Sequence, residues 1–177
     1  QSGCAFLERK ILLDERSISR CEYLIALGFG SGLSPFAPGT FGTLFAWASF
    51  RALDIALPPD VFLLLILLSF VLGIVAIEKT GNALGEIDHG SIVWDEIVPF
   101  WGVLWLLAQV MGDSIAWQGI AFVLFRLYDI KKPWPASYYD RQVKNGYGVM
   151  MDDVIAALYT VLSLTVLLVF VYLNAHQ

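Results

Sequence analysis

Histidine and cysteine are scarce in this chain of 177 residues, which has two of each. Cys4 and Cys21 form neither a CxxC motif nor the spacing of zinc ligands. Zinc sites generally take several Cys or His ligands, so the composition argues against one. Basic residues are also few, since 11 Lys and Arg face 16 Asp and Glu and the net charge is −5. Nucleic-acid binding needs a basic stripe, and the sequence has none.

Charged residues make up only 15% of the chain, whereas hydrophobic residues make up 58%. Two apolar runs, at residues 61–77 and 154–173, contain no charge at all. The second has the length of about 20 residues that a membrane-spanning helix needs, and the first is near the lower limit. Three further apolar segments lie at residues 41–57, 97–111 and 114–125. These runs predict an all-α, polytopic helical membrane bundle.

The N-terminal residues differ from the rest of the chain. Residues 1–22 are charged and mixed, without the pattern of a cleavable signal peptide. We therefore expect an N-terminal cytoplasmic extension at residues 1–22, followed by a single membrane domain at residues 23–177.

The distribution of basic residues predicts the orientation. If successive apolar segments alternate in direction, the N-terminal region, residues 78–96 and residues 126–153 share one side of the membrane. These regions hold 10 of the 11 Lys and Arg residues, and only Arg51, inside a candidate helix, is left over. Cytoplasmic loops are enriched in Lys and Arg, so we predict that this side is cytoplasmic.

Six acidic residues lie at the ends of the apolar segments, all on the predicted cytoplasmic side. Carboxylates at membrane depth are costly and usually mark an ion or substrate site. Simpler roles are also open: acids at a helix N-terminus stabilise the helix, and an Arg–Asp pair at i,i+3 is a common intrahelical ion pair. The six acids are Asp88, Asp95, Glu96, Asp129, Asp152 and Asp153.

This set of residues favours phosphate chemistry. Oxygen ligands suit a hard cation such as Mg²⁺, and nearby Lys and Arg side chains complement a phosphate group. The Gly- and Pro-rich loop at residues 28–42 predicts a turn that offers backbone N–H groups, followed by a helix from Phe41 with Thr40 as its N-cap. We therefore predict phosphoryl chemistry on a lipid headgroup.

Two familiar phosphatase mechanisms do not fit the sequence. Neither cysteine is followed by an anion-binding loop with a suitably placed Arg, so a cysteine nucleophile is not supported. His89 and His176 fall on opposite predicted sides of the membrane, which argues against a mechanism with two histidines.

Four motifs in this order resemble the bacterial phosphatidylglycerophosphatase A family, and the resemblance extends over residues 23–173. They are GFGSGLSPFAPGTFGTL at 28–44, DHGSIVWDE at 88–96, FRLYDIKKPWPASYYDR at 125–141 and NGYGVMMDD at 145–153. The resemblance implies a Mg²⁺-dependent phosphoric monoester hydrolase of the bacterial inner membrane. Such an enzyme converts phosphatidylglycerophosphate to phosphatidylglycerol and inorganic phosphate.

The resemblance also suggests roles for the motif residues. We expect the metal ligands to be Asp95, Glu96, Asp129 and Asp152, with Asp153 behind them. Asp88 or His89 would move protons. The predicted phosphate-binding residues are Arg126, Lys132, Arg141 and Thr40.

Two other functions remain open from the residues alone. A Mg²⁺-dependent phospholipid-headgroup transferase would also use clustered acids, although its familiar DGxxAR…GxxxD pattern does not occur. A cation transporter or channel would place acids at mid-membrane depth and on both sides, whereas these gather on one side.

Overall fold

The computed structural model describes residues 20–175, and this part of the chain is helical without any β-strand. The all-α prediction is therefore confirmed for these residues. Most of the predicted extension at residues 1–22 lies outside the described range, as does His176. In chain order the elements are α1 (Arg20–Ala26), a 3₁₀ helix (Gly28–Leu33), α2 (Pro38–Ala56), α3 (Pro59–Leu84), α4 (Trp94–Met111), α5 (Ile115–Lys131), α6 (Ala136–Gln142) and α7 (Gly146–Ala175).

Proline and glycine mark several of the helix boundaries. Pro38 and Pro59 occupy the first positions of α2 and α3, where the missing N–H costs no hydrogen bond. Helix α3 ends at Gly85, which has the left-handed conformation common just beyond a helix. The prediction that Thr40 caps α2 is wrong, because Ala37 is the N-cap and Thr40 already lies in the first turn.

The long helices continue past their apolar runs into polar sequence. Helix α7 begins at Gly146 rather than at residue 154, because Asn145 caps it: the Gly148 N–H donates to Asn145 Oδ1 over 2.9 Å. At their C-terminal ends, α3 continues past its apolar run to Leu84 and α5 continues past its run to Lys131. Consequently, Asp152 and Asp153 lie inside a helix rather than at its edge.

Helix α4 forms the centre of the bundle and contacts α2, α3, α5 and α7. Its side chains are buried on several faces, including those of Ile97, Phe100 and Leu104. Trp94 and Trp101 pack edge to face, and their indole N–H groups donate to the backbone carbonyls of Ser69 and Ala46. Satisfying these N–H groups removes the main cost of burying tryptophan. The first turn of α4 is therefore held firmly in the core.

The outer surface of the bundle is strongly apolar. Helices α3 and α7 are long and apolar enough to cross a membrane. Each also exposes large side chains along its length, such as Leu68 and Leu72 on α3 and Leu162 and Phe170 on α7. Contiguous exposed apolar surface of this kind marks a membrane or interaction surface. The structure thus agrees with membrane association.

The two ends of the bundle differ in their polar residues. At one end, Arg51 of α2 forms an ion pair with Asp113 in the α4–α5 connection. Asp113 also accepts a hydrogen bond from Gln118 Nε2 over 3.0 Å. Arg51, the one basic residue outside the predicted cytoplasmic regions, is thus paired at its own end of the bundle. At the other end lie the long α3–α4 and α5–α7 connections and the predicted acidic residues.

We expect Gly148→Ala to destabilise the protein. A Cβ atom there would lie 1.8 Å from the backbone oxygen of Val143, so the start of α7 would have to move. Overpacking of this kind typically costs about 1–3 kcal/mol. Thermal unfolding in detergent should show a lower melting temperature. Gly119→Ala is the matched control, because its Cβ would meet only Trp47 at 3.7 Å. Equal melting temperatures for the two variants would contradict the prediction.

Candidate active site

Acidic residues from four helices and one connection converge at one end of the bundle. Helix α4 supplies two from its first turn, α5 one from its last turn, and α7 two from its second turn, while the α3–α4 connection and α6 add one each. We call this set the acidic cluster: Asp88, Asp95, Glu96, Asp129, Asp140, Asp152 and Asp153. It includes all six acids that the sequence singled out, and Asp140 in addition.

Arg126 neutralises one side of the acidic cluster. Its guanidinium nitrogen Nη1 lies 3.1 Å from Glu96 Oε2 and also pairs with Asp129 one turn further along α5. Thr43 of α2 lies within hydrogen-bonding distance of the same groups, 3.2 Å from Glu96 Oε2 and 3.5 Å from Arg126 Nη1. The Nε atom of Arg126 is buried without a hydrogen-bond acceptor. The guanidinium group therefore retains a donor for a further anion.

The N-terminus of α2 lies directly against this ion pair. A Cβ atom at Gly39 would be 2.0 Å from Glu96 Oε1 and 2.9 Å from Arg126 Nη2. Only glycine allows the two side chains to approach the helix backbone so closely. The positive end of the helix dipole favours an anion at this position, whether the Glu96 carboxylate or a phosphate group.

Lys132 neutralises the side of the acidic cluster that Arg126 does not reach. Its Nζ atom lies 2.6 Å from both Asp140 Oδ1 and Asp152 Oδ2, and 3.9 Å from Asp88 Oδ2. Burial alone would lower the pKa of Lys132, but the charge of Asp152 and its hydrogen bonds to Asp140 and Asp152 outweigh burial and raise that pKa above its usual range. Burial opposes but does not cancel the effect of Lys132 on Asp140, whose pKa is lowered. Lys132 is thus a permanent cation shared among three acids.

Three buried carboxylates keep an oxygen without a hydrogen-bond donor. They belong to Asp95, Asp152 and Asp153, whose residues are only 6%, 4% and 3% exposed. Asp95 is repelled by the charges of Glu96 and Asp152, and Asp153 by those of Asp129 and Asp152. Two cations and seven carboxylates leave an excess of negative charge. Buried carboxylates with this excess need further positive charge or protons.

A divalent cation is one way to supply that charge. Within residues 20–175, no three Asp, Glu, His or Cys side chains form a ready-made group that could hold a metal ion. Mg²⁺, however, usually keeps several water ligands and takes only one or two carboxylates together with substrate phosphates. The unpaired oxygens of Asp95, Asp152 and Asp153 suit an ion of this kind. The ligand set proposed from the sequence stays a prediction.

The remaining predicted residues lie at the margin of the acidic cluster. The Asp88 side chain is 40% exposed. His89 Nδ1 accepts a hydrogen bond from the Ser91 N–H over 3.2 Å, so a neutral His89 carries its proton on Nε2. Arg141 is exposed on the last turn of α6 and helps to lower the pKa of Asp140. Thr40 is half-buried in the first turn of α2, and the contact to Glu96 comes from Thr43 instead.

Sequence reasoning missed three residues of this site. Gly39, Thr43 and Asp140 all lie within the motifs at residues 28–44 and 125–141, so the motifs pointed to the right segments. Asp140 was overlooked because it follows no long apolar run. Gly39 and Thr43 become meaningful only once α2 packs beside α4 and α5.

We expect Lys132→Met to destabilise the protein by about 2 kcal/mol, less than the 3–5 kcal/mol of a fully buried pair, because its side chain is 27% exposed. The loss leaves Asp140 and Asp152 without their shared cation. Thermal unfolding in detergent measures the effect. Lys131→Met is the control, since Lys131 is exposed. Similar melting temperatures for the two variants would show that the charge of Lys132 does not stabilise the protein by compensating Asp140 and Asp152.

Comparison with known proteins identifies the family. The family model described as phosphatidylglycerophosphatase A matches residues 24–168. Phosphatidylglycerophosphatase A of Haemophilus influenzae is 46% identical over 142 residues, which cover 79% of this chain and 84% of that protein. The Escherichia coli protein of the same name is 43% identical over 136 residues, or 76% of each chain.

A third relative carries a different name. A Bacteroides thetaiotaomicron protein named "Putative phosphatidylinositol-3-phosphatase" is 43% identical over 149 residues, which cover 81% of this chain and 91% of that protein. No solved structure shows a significant match. The family match spans most of the chain and all four motifs, and the chain therefore belongs to the phosphatidylglycerophosphatase A family.

Proposed function

We propose that this protein hydrolyses the phosphomonoester of phosphatidylglycerophosphate and releases phosphatidylglycerol and inorganic phosphate. Family membership supports this reaction, since two relatives named for it are 46% and 43% identical. The observation that carries the proposal is the geometry at the acidic cluster. Three buried carboxylates there keep unpaired oxygens, and Arg126 and the N-terminus of α2 lie against the same cluster. Carboxylates, a guanidinium group and a helix N-terminus together suit a phosphate and a hard cation.

The phosphate would lie beside Arg126, close to the N-terminus of α2. The free Nε of Arg126 can donate to a phosphate oxygen, and the helix N-terminus favours its negative charge. Glu96 and Asp129 hold the guanidinium through their ion pairs with Nη1. In this proposal they would position the guanidinium, and their role as metal ligands stays a prediction from the sequence.

Mg²⁺ would be held by the unpaired oxygens of Asp95, Asp152 and Asp153. When bound, it would stabilise negative charge on the phosphate and favour a water nucleophile. Lys132 would hold Asp152 in place through their 2.6 Å contact and keep Asp140 and Asp88 nearby. Asp88, whose side chain is 40% exposed, and the partly exposed His89 lie at the margin of the cluster, so these residues would move protons.

The protein would be a multi-pass protein of the bacterial cytoplasmic membrane, with the acidic cluster facing the cytoplasm. Helices α2, α3, α4, α5 and α7 would cross the membrane in alternating directions. The helix ends and connections near the cluster carry Lys131, Lys132, Arg141 and Lys144. The opposite connections carry none, and Arg51 near them is paired with Asp113. This bias supports a cytoplasmic active site.

We expect phosphate release from phosphatidylglycerophosphate to require Mg²⁺ and to fall by about 100-fold or more in Asp95→Asn, Asp129→Asn and Asp152→Asn. Each substitution removes a charge that organises the phosphate or the metal. The assay measures inorganic phosphate from purified protein in detergent, with added Mg²⁺ or with EDTA.

Asp60→Asn is the matched control, because Asp60 is exposed at the opposite end of α3. Near-normal activity of all three cluster variants would contradict the proposed site. Activity that depends on an added alcohol acceptor would instead indicate a transferase. Cation flux in liposomes without lipid turnover would indicate a transporter.

We also expect a preference of at least about tenfold in kcat/KM for phosphatidylglycerophosphate over phosphatidylinositol 3-phosphate. A phosphate on a flexible glycerol can reach buried carboxylates, whereas one on an inositol ring brings neighbouring hydroxyl groups that need polar partners. The name of the Bacteroides thetaiotaomicron relative makes this comparison informative. The measurement is phosphate release from each lipid in matched mixed micelles, and equal rates would refute the preference.

A further inference from the structure

An apolar groove lies between α3, α4 and α7, with a volume of about 310 Å³. No charged residue lines it, and its walls include Phe70, Val98, Gly102, Leu106, Val154 and Leu158. A polar ligand buried there would lose its hydrogen bonds to water without replacement. The groove therefore suits a hydrocarbon occupant.

The groove begins where the acidic cluster ends. Val98 follows Asp95 by one helical turn, and Val154 directly follows Asp153. From Val154 to Val161 the groove follows α7 for about 11 Å, at about 1.5 Å per residue. One leaflet of a bilayer has a hydrocarbon depth of about 15 Å. The groove thus runs from the level of the acids through most of a leaflet.

The groove is also open to the side. Leu67, Leu106 and Leu158 on its walls are 57%, 45% and 58% exposed. Within it, a Cβ atom added at Gly102 would meet no atom within 4 Å. A lipid chain can therefore enter laterally, whereas a helix, with a diameter of about 10 Å, is too wide for a cavity of this volume.

We propose that this groove binds one acyl chain of the phospholipid whose phosphate is bound at the acidic cluster. The inference rests on the proposed function, because that function brings a diacyl lipid to the acids. With the phosphate beside Arg126 and Asp95, the glycerol lies at the end of the groove nearest the acidic cluster. One acyl chain then continues along the groove. Chain binding then contributes to specificity for lipid over soluble phosphate esters.

The first test fills the groove. Gly102→Leu places a side chain in open space on a helix, and leucine is a better helix former than glycine. We expect kcat/KM for dipalmitoyl phosphatidylglycerophosphate to fall by about tenfold, as for lost apolar contacts in a binding pocket. Activity on the dibutanoyl analogue should stay unchanged, because its chains are too short to reach Gly102.

Val110→Leu is the matched control on the same helix, since Val110 is 72% exposed outside the groove. It should change neither rate. Equal loss on both substrates with Gly102→Leu, or no loss on either, would overturn the proposal.

A second test does not depend on turnover. Phosphatidylglycerol with a diazirine in one acyl chain is irradiated with the wild-type protein, and the crosslinked residues are located by mass spectrometry. We expect crosslinks at Leu106 and Leu158 that Gly102→Leu removes. Crosslinks spread evenly over exposed positions such as Leu64 and Val166 would overturn the proposal.

The two tests separate failure of the groove from failure of the reaction. Specific crosslinks without phosphate release from any lipid would reject the proposed function. They would also reject the claim that the bound acyl chain belongs to a substrate. Phosphate release without specific crosslinks would reject the groove alone. If Gly102→Leu changes the oligomeric state by light scattering and leaves crosslinking unchanged, the groove is an interface with a second copy.

Discussion

The burial of mutually repelling carboxylates is the constraint on which the rest of this structure depends. Asp95, Asp152 and Asp153 are almost fully buried, and each keeps an oxygen without a donor. Such groups are costly unless positive charge compensates them. Arg126, Lys132 and the N-terminus of α2 provide part of that compensation. The uncompensated remainder favours further positive charge or protons.

The bundle holds these groups together through a rigid core and a few close backbone approaches. Helix α4 is fixed by buried aromatic packing, so its first turn has little freedom to move away from the other acids. Gly39 brings α2 against Glu96 and Arg126, and Gly146 brings the start of α7 against α3. Apolar surface then surrounds the polar end of the bundle. Under the proposed function, a phospholipid would approach such a site with its headgroup at the acids.

The five long helices could be predicted from the sequence, but their ends and caps and the short helices could not. Apolar runs located α3 and α7, because a spanning helix needs a continuous run of hydrophobic residues. Helix α7 begins eight residues before its apolar run, because Asn145 caps it and backbone hydrogen bonding continues through the polar turns that follow. Thr40 does not cap α2, because the helix already begins at Pro38. Caps depend on local backbone geometry, which hydropathy does not report.

The sequence by itself determined the helical class, the family and the gathering of six acids at one end of the apolar segments. These properties follow from composition, alternation and motifs. Only the tertiary structure decided how the charges divide: Arg126 is shared by Glu96 and Asp129, and Lys132 by Asp140 and Asp152. The physical reason is that an ion pair depends on distances of a few ångströms between helices far apart in the chain. Those distances are set by packing around α4, and no local pattern of residues encodes them.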